Sequence, residues 1–362
     1  MLIFKPLLPK YHEFIHYLKN IDKKRLYSNY GPLYFKTKRI IENYLKLKNS
    51  AVVLTSSGDA SLFACFKYLK YFNKKKKYIL TPSFSFPSDI HSIINSGFEP
   101  IFVDINLENW SASENQIIKE IKKNNKIAGI LIVSPFGFPI DIKNLNNLKS
   151  KTKTEIIYDA ADTFLNLKQL NSVNFFITSS FHPTKNVPGN ESGMIICKTS
   201  LKDTFELILN FGQDEKKNVG IFGFNGKISE YDCAILLATL KKLSTIKKKI
   251  KLLNQFIIKN VSNHSIIFQK DIGKSWFSNK VNFYSKTLNK NKIKKIFLKN
   301  KILLYEPWTG KPMHLHKFFR NYKKKSLKNT LLLSKKVLSL PINYDLTNKD
   351  LKKICNTINL LK

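Results

Sequence analysis

Ser180-Phe181-His182-Pro183-Thr184-Lys185-Asn186 closes an apolar run, Asn174–Ser180, and leads through Pro188-Gly189-Asn190-Glu191-Ser192-Gly193 into a second apolar run at Met194. A lysine in a loop at a strand end is ordinarily just solvated, and lysines and arginines together number 62 in this chain. What singles out Lys185 is its company. Upstream, Ile156-Ile157-Tyr158-Asp159-Ala160-Ala161 ends an apolar run in a carboxylate and two small residues. Further upstream, Val52-Val53-Leu54-Thr55-Ser56-Ser57-Gly58 passes from an apolar run through hydroxyl residues into a helical pattern.

The same texture repeats over the first two-thirds of the chain. Short apolar runs at Val52–Leu54, Tyr78–Thr81, Pro100–Asp104, Ala128–Val133, Glu155–Tyr158, Asn174–Ser180 and Met194–Cys197 predict seven strands. Amphipathic stretches at Ser61–Phe72, Asp89–Ser96, Ser113–Lys123 and Lys143–Lys151 predict helices between them. Strands alternating with helices predict an α/β fold with a mostly parallel sheet covered on both faces. Ligands in such folds bind at the carboxyl ends of the strands, where the polar residues above fall. From Ser229 a helical pattern runs to about Lys259, and a lysine-rich region closes with Asn348–Leu361. This predicts a large domain over 1–247 with an N-terminal arm, and a smaller α/β domain over 248–362.

Together the three stretches have what a pyridoxal-phosphate (PLP) site requires. The cofactor phosphate needs free N–H groups and hydroxyls at a helix start, which Ser57, Gly58 and Asp59 can supply. The pyridine nitrogen needs a buried carboxylate to hold its proton, here Asp159. The aldehyde needs a lysine amine, here Lys185. The ring needs an aromatic face, and Phe86 follows a strand at a suitable place.

With these residues in view, the chain resembles the DegT/DnrJ/EryC1/StrS sugar aminotransferases nearly end to end. Asn29-Tyr30-Gly31-Pro32, Thr81-Pro82-Ser83-Phe84-Ser85-Phe86, Gly97-Phe98-Glu99-Pro100 with Phe102-Val103-Asp104, Asp159-Ala160-Ala161, Ser180 to Asn186, and Gly223-Phe224-Asn225-Gly226-Lys227-Ile228-Ser229-Glu230 resemble family motifs in order. Pro312-Met313-His314-Leu315 and Leu338-Ser339-Leu340-Pro341 match near the end. The resemblance implies the fold type I PLP-transferase architecture and a ping-pong transamination. An amino acid, glutamate in most of the family, would donate nitrogen to a nucleotide-linked keto-sugar, in cell-surface polysaccharide or deoxyamino-sugar biosynthesis. It implies Lys185 and Asp159 as catalytic groups and Ser57, Gly58, Asp59, Phe86, Asp162, Ser180 and Asn225 around the cofactor. Asn225 would reach the phosphate of a neighbouring subunit, which implies a homodimer. A sugar dehydratase of the same family carries histidine at the lysine position, so Lys185 argues against that activity.

The chain departs from the pattern at Asp59, where threonine is usual, at Asp162, where histidine or glutamine is frequent, and at Asn190-Glu191-Ser192-Gly193, where the family has a glycine pair. A carboxylate beside a phosphate is unfavourable if it faces inward; the benign alternative is that Asp59 caps its helix and points away. A non-catalytic or regulatory homologue of the same fold is the alternative, resting on Asp59 and Asp162.

Composition bounds the remaining readings. The chain has 362 residues, is 43% hydrophobic and carries a net charge of +37. No recognition helix, zinc-finger spacing or aromatic RNA-binding pattern accompanies the charge, so no nucleic-acid partner is expected. The excess of Lys over Arg, with abundant Asn and Ile, matches the coding bias of an AT-rich genome, and the field suits an anionic substrate. No apolar run is long enough to span a membrane. The start, MLIFKPLLPKYHEF, lacks the pattern of a signal peptide. Cys65, Cys197, Cys233 and Cys355 show no metal-type spacing, and read as buried apolar residues of a cytoplasmic protein.

Overall fold

The computed structural model describes residues 6–168 and 170–361; the stretch Met1–Lys5, part of the start read above, lies outside them. Seven strands form at the expected places: β1 Ser50–Thr55, β2 Tyr78–Pro82, β3 Glu99–Val103, β4 Ile127–Val133, β5 Glu155–Asp159, β6 Phe176–Ser180 and β7 Gly193–Lys198. They lie in the order β1-β7-β6-β5-β4-β2-β3. β7 runs antiparallel to β1 and β6, and the other pairs are parallel. Its reversal follows from the connection: no crossover helix separates β6 from β7, so the chain folds straight back.

Twelve helices lie among the described residues: α1 Tyr11–Lys24, α2 Pro32–Leu45, α3 Gly58–Phe72, α4 Pro87–Asn95, α5 Glu114–Lys123, α6 Ile142–Thr152, α7 Lys202–Leu209, α8 Glu230–Leu240, α9 Leu243–Asn260, α10 Lys290–Lys299, α11 Lys328–Lys336 and α12 Asn348–Asn359. Strand residues alternate between two buried layers, as a pleated sheet covered on both faces must. On one face Val52, Leu54, Ile156 and Tyr158 pack with Ile41 of α2 and Leu237 of α8. On the other, Val53 and Ile157 pack with Phe66 of α3 and Ile208 of α7. All four cysteines are free and buried.

The long helix expected from Ser229 is instead two, broken at Lys241 and Lys242. α8 is buried on nearly every side, whereas α9 buries only a stripe through Leu243, Ile246, Ile250, Leu253 and Ile257. Two consecutive exposed lysines mark the change, and Lys242 pairs with Glu13 of α1. Leu243 to Ile250 pack into the large core, whereas Leu253 and Ile257 join a second core with Phe283 and Ile354. That second core covers an antiparallel sheet of β8 Ile266–Phe268, β9 Asn282–Ser285 and β11 Leu338–Ser339, in the order β11-β9-β8.

The large sheet has one strand beyond the expected seven. β10, Lys323–Lys324, pairs parallel with β3 at the edge of the large sheet. Its two exposed lysines carry no apolar signal. Packing beside it, of Phe319 and Leu327 on Ile90 and Phe102, places it there. No helix among the described residues is long and apolar enough to cross a membrane.

Candidate active site

The carboxyl ends of the parallel strands converge on a cavity of about 550 Å³. The turn after β1 supplies Ser57, Gly58 and Asp59; that after β2 supplies Phe86 and Asp89; Asp159 ends β5 with Asp162 just beyond; and Ser180 ends β6, followed by Lys185. Eight of the nine cofactor-site residues expected from sequence therefore line one space. Asn225 does not line it. It is exposed and forms an isolated bridge with Asn210.

The turn after β1 is held from within. Ser57 is the N-cap of α3, its hydroxyl accepting from the Ala60 N–H at 3.0 Å. The Thr55 hydroxyl donates to the Ser57 carbonyl at 2.8 Å. Gly58 is required by proximity: a Cβ there would lie 2.7 Å from the Ser180 Cβ. The positive end of the fifteen-residue α3 thus opens beside Ser180, a place suited to a phosphate. Ser57, not Asp59, caps the helix. The Asp59 Oδ1 accepts from the Ser92 hydroxyl of α4 at 3.0 Å, which tethers the carboxylate to a neighbouring helix.

Asp159 is 7% exposed, and its Oδ1 accepts from the Ala161 N–H at 3.0 Å. Burial pushes its carboxyl above the usual range, against the pull of the Lys185 ammonium. Asp162 behaves oppositely. Burial alone would raise it, but Lys185 and then Lys280 outweigh burial and hold it below the usual range. Its Oδ2 lies 2.6 Å from the Lys280 Nζ and 3.8 Å from the Lys185 Nζ. Lys280 also donates to the Thr184 carbonyl at 3.0 Å, just before Lys185 in the chain. Phe86 is half exposed, at 50%, and lines the cavity.

Sequence reasoning missed Asp89, Lys280, Tyr305 and Trp308, which complete the lining. The last three come from the far end of the chain, and no local motif marks them. His182 borders the cavity, its Nδ1 2.9 Å from the Thr184 hydroxyl and its Nε2 3.4 Å from Glu191. His314 is buried elsewhere, its Nδ1 2.7 Å from the Ser83 hydroxyl.

The sequence profile of the DegT/DnrJ/EryC1/StrS aminotransferase family matches residues 10–359. The chain belongs to this family. It is 26% identical, over an alignment of 373 positions, to the dTDP-4-amino-4,6-dideoxy-D-glucose transaminase of Shigella dysenteriae, covering 100% of this chain and 99% of that one. It is 24% identical to the GDP-perosamine synthase of Escherichia coli O157:H7, over 78% of each. Among solved structures, a Bacillus cereus protein assigned to the PLP-dependent aminotransferases superposes with a TM-score of 0.91 at 25% identity, over 98% of both chains. Helicobacter pylori PseC, an aminotransferase involved in the biosynthesis of pseudoaminic acid, shares the fold, with a TM-score of 0.84 at 18% identity over 98% and 97% of the two chains. The chain is thus a transaminase of fold type I, a family that implies pyridoxal phosphate. The residues present fit that group. An anion-ready helix end, a lysine amine, a half-exposed aromatic and a buried carboxylate surround one cavity, the set of groups that pyridoxal phosphate requires.

Proposed function

We propose that this transaminase uses pyridoxal phosphate to move an amino group from an amino acid, glutamate by family resemblance, to a nucleotide-linked keto-sugar. The observation that carries this reading is the meeting of Lys185 and Asp159 in one cavity beneath the start of α3. When bound, the cofactor supplies an aldehyde for an amine and a ring that takes up the electron pair of a broken C–H bond. Ser57 and the first N–H groups of α3 would hold its phosphate. Phe86 would cover one ring face, and Asp159 would keep the ring nitrogen protonated. Lys185 would hold the cofactor before the donor arrives, then carry the proton off the donor's α-carbon and return it on the acceptor side. Asp162 and Lys280 form an ion pair beside Lys185, so the extra carboxylate brings its own counter-charge. That supports an active enzyme over a regulatory homologue.

The relatives named above support a nucleotide sugar as acceptor, and the net charge of +37 favours an anionic one. A role in cell-surface polysaccharide or deoxyamino-sugar biosynthesis, in the cytoplasm, accompanies that reading. The exposed Asn225, away from its own cavity, is consistent with a homodimer in which it serves the other subunit. The division into units over 1–247 and 248–362 is part of the same proposal, supported by the change of core along α9 between Ile250 and Leu253.

The test is the visible spectrum of protein purified with added pyridoxal phosphate, with and without Lys185→Ala. A band present in the wild type, bleached by glutamate and lost in the variant supports the reading. A wild type that takes up no cofactor overturns it.

A further inference from the structure

Asp89 is a cavity group that this reading leaves without a task. It is the third residue of α4 and is fully buried, at 0% exposure. Its Oδ2 accepts from the Phe86 N–H at 3.1 Å. Its Oδ1 is buried without a hydrogen-bond partner among the described residues. An acid at this helix position ordinarily caps the first turn as a solvated carboxylate. Capping accounts for Oδ2 only. On β5, Asp159 lines the same cavity, and the two carboxyl groups interact through their side chains.

Two carboxyl groups in contact away from water do not both ionise. Their surroundings decide which is neutral. Burial bears hardest on both. After it, Asp159 feels the Lys185 ammonium most strongly, whereas Asp89 feels the negative charge of Asp159 most strongly and Lys185 least. Asp162 pushes the Asp159 carboxyl the other way, but it is the weakest of the influences on that group. Asp89 therefore takes the proton. Because Oδ2 is already an acceptor, the proton belongs on Oδ1, the atom that otherwise has no partner.

We propose that Asp89 is a positioning residue, a neutral carboxyl whose Oδ1–H donates to Asp159 and ties that carboxylate to the backbone of Phe86. The role given to Asp159 rests on the aminotransferase reading; the protonation of Asp89 does not. The link would make one unit of the aromatic that covers the ring and the carboxylate at its edge. It would also give buried Asp159 a second donor, beside the Ala161 N–H, that favours its ionised form.

The first measurement uses cofactor-free protein. At neutral pH, infrared spectroscopy should show the C=O stretch of a protonated buried carboxyl in the wild type, absent from Asp89→Asn. Absence from the wild type, or persistence in Asp89→Asn, overturns the proposal. The second compares pyridoxal-phosphate binding by wild type, Asp89→Asn and Asp89→Leu. The leucine variant should bind about ten- to a hundredfold more weakly, the loss of one charge-assisted hydrogen bond. Its bound cofactor's visible spectrum should also titrate at a different pH. Asparagine, which keeps a donor in place, should restore both, and equal behaviour of all three proteins would overturn the proposal. A wild type that shows the Asp89-dependent band yet takes up no cofactor upholds the Asp89–Asp159 pair and sinks the aminotransferase reading instead.

Discussion

Two of the regions that bury carboxyl groups treat them oppositely. At the start of α2, Glu230 is 2% exposed and both its oxygens are used. Oε2 accepts from the Leu33 N–H and Oε1 from the Tyr34 N–H, each at 2.8 Å. Gly31 leaves room for it, since a Cβ there would meet the Glu230 Cδ at 2.5 Å. Burial still pushes the Glu230 carboxyl above its usual range, with the two N–H groups pulling it back. In the cavity, by contrast, Asp89 and Asp159 each accept only a single backbone bond. A buried charge whose partners are complete holds a helix in place. Buried acids with capacity left over are held ready for something else.

That contrast can be broken at its functional end first. Lys185→Ala should lower transamination by at least about 10³–10⁴-fold, as loss of a nucleophile and proton carrier does. Thermal stability should hardly change, because the 3.8 Å contact to Asp162 duplicates the shorter one from Lys280. Single-turnover rates and a melting curve check the two halves. At the structural end, Glu230→Ala should cost about 3–4 kcal/mol of unfolding free energy, from two charge-assisted bonds lost and two buried N–H groups stranded. Glu230→Gln should cost roughly half that, and denaturant titration reads both.

The ion pair in the cavity is intermediate. Lys280→Met should cost about 2 kcal/mol in urea, less than a fully stranded charge, because Lys185 still faces Asp162. Asp162 is held below its unfolded-chain value of about 3.9. Its contribution to stability is therefore present above that pH and lost as the pH falls through the folded value. Lys280→Met should move acid unfolding to higher pH. The smallest effect sharpens the comparison most. In the cofactor-free protein at neutral pH, Asp89→Asn should be neutral or stabilising by up to about 1 kcal/mol, opposite in sign to Glu230→Ala. Asp89 is held well above the usual range, chiefly by burial. Its wild-type contribution declines as the pH rises above about 3.9, and Asp89→Asn should remove that slope.

The sheet and the place of Lys185 in the cavity could be read in advance for a common reason. Strands buried on both faces are continuous apolar runs, and seven such runs became β1 to β7. Lys185 and Asp159 stand in local contexts that set them apart from the chain's other lysines and aspartates. Asp89 has no such context, because an acid three residues into a helix is ordinary. Lys280 was lost among 62 basic residues. The break between α8 and α9 was hidden because apolar residues continue across it while the burial changes from all sides to one.

The sequence by itself determined the α/β class, the positions of β1 to β7, and the lysine, carboxylate and helix start that meet at one cavity, since each is written in contiguous residues. Only the tertiary structure decided which acids share a dry space, which ammonium groups face them and which oxygen is left without a partner. Those depend on residues as far apart as Asp162 and Lys280, and the charge state of a buried group is set by what surrounds it in space.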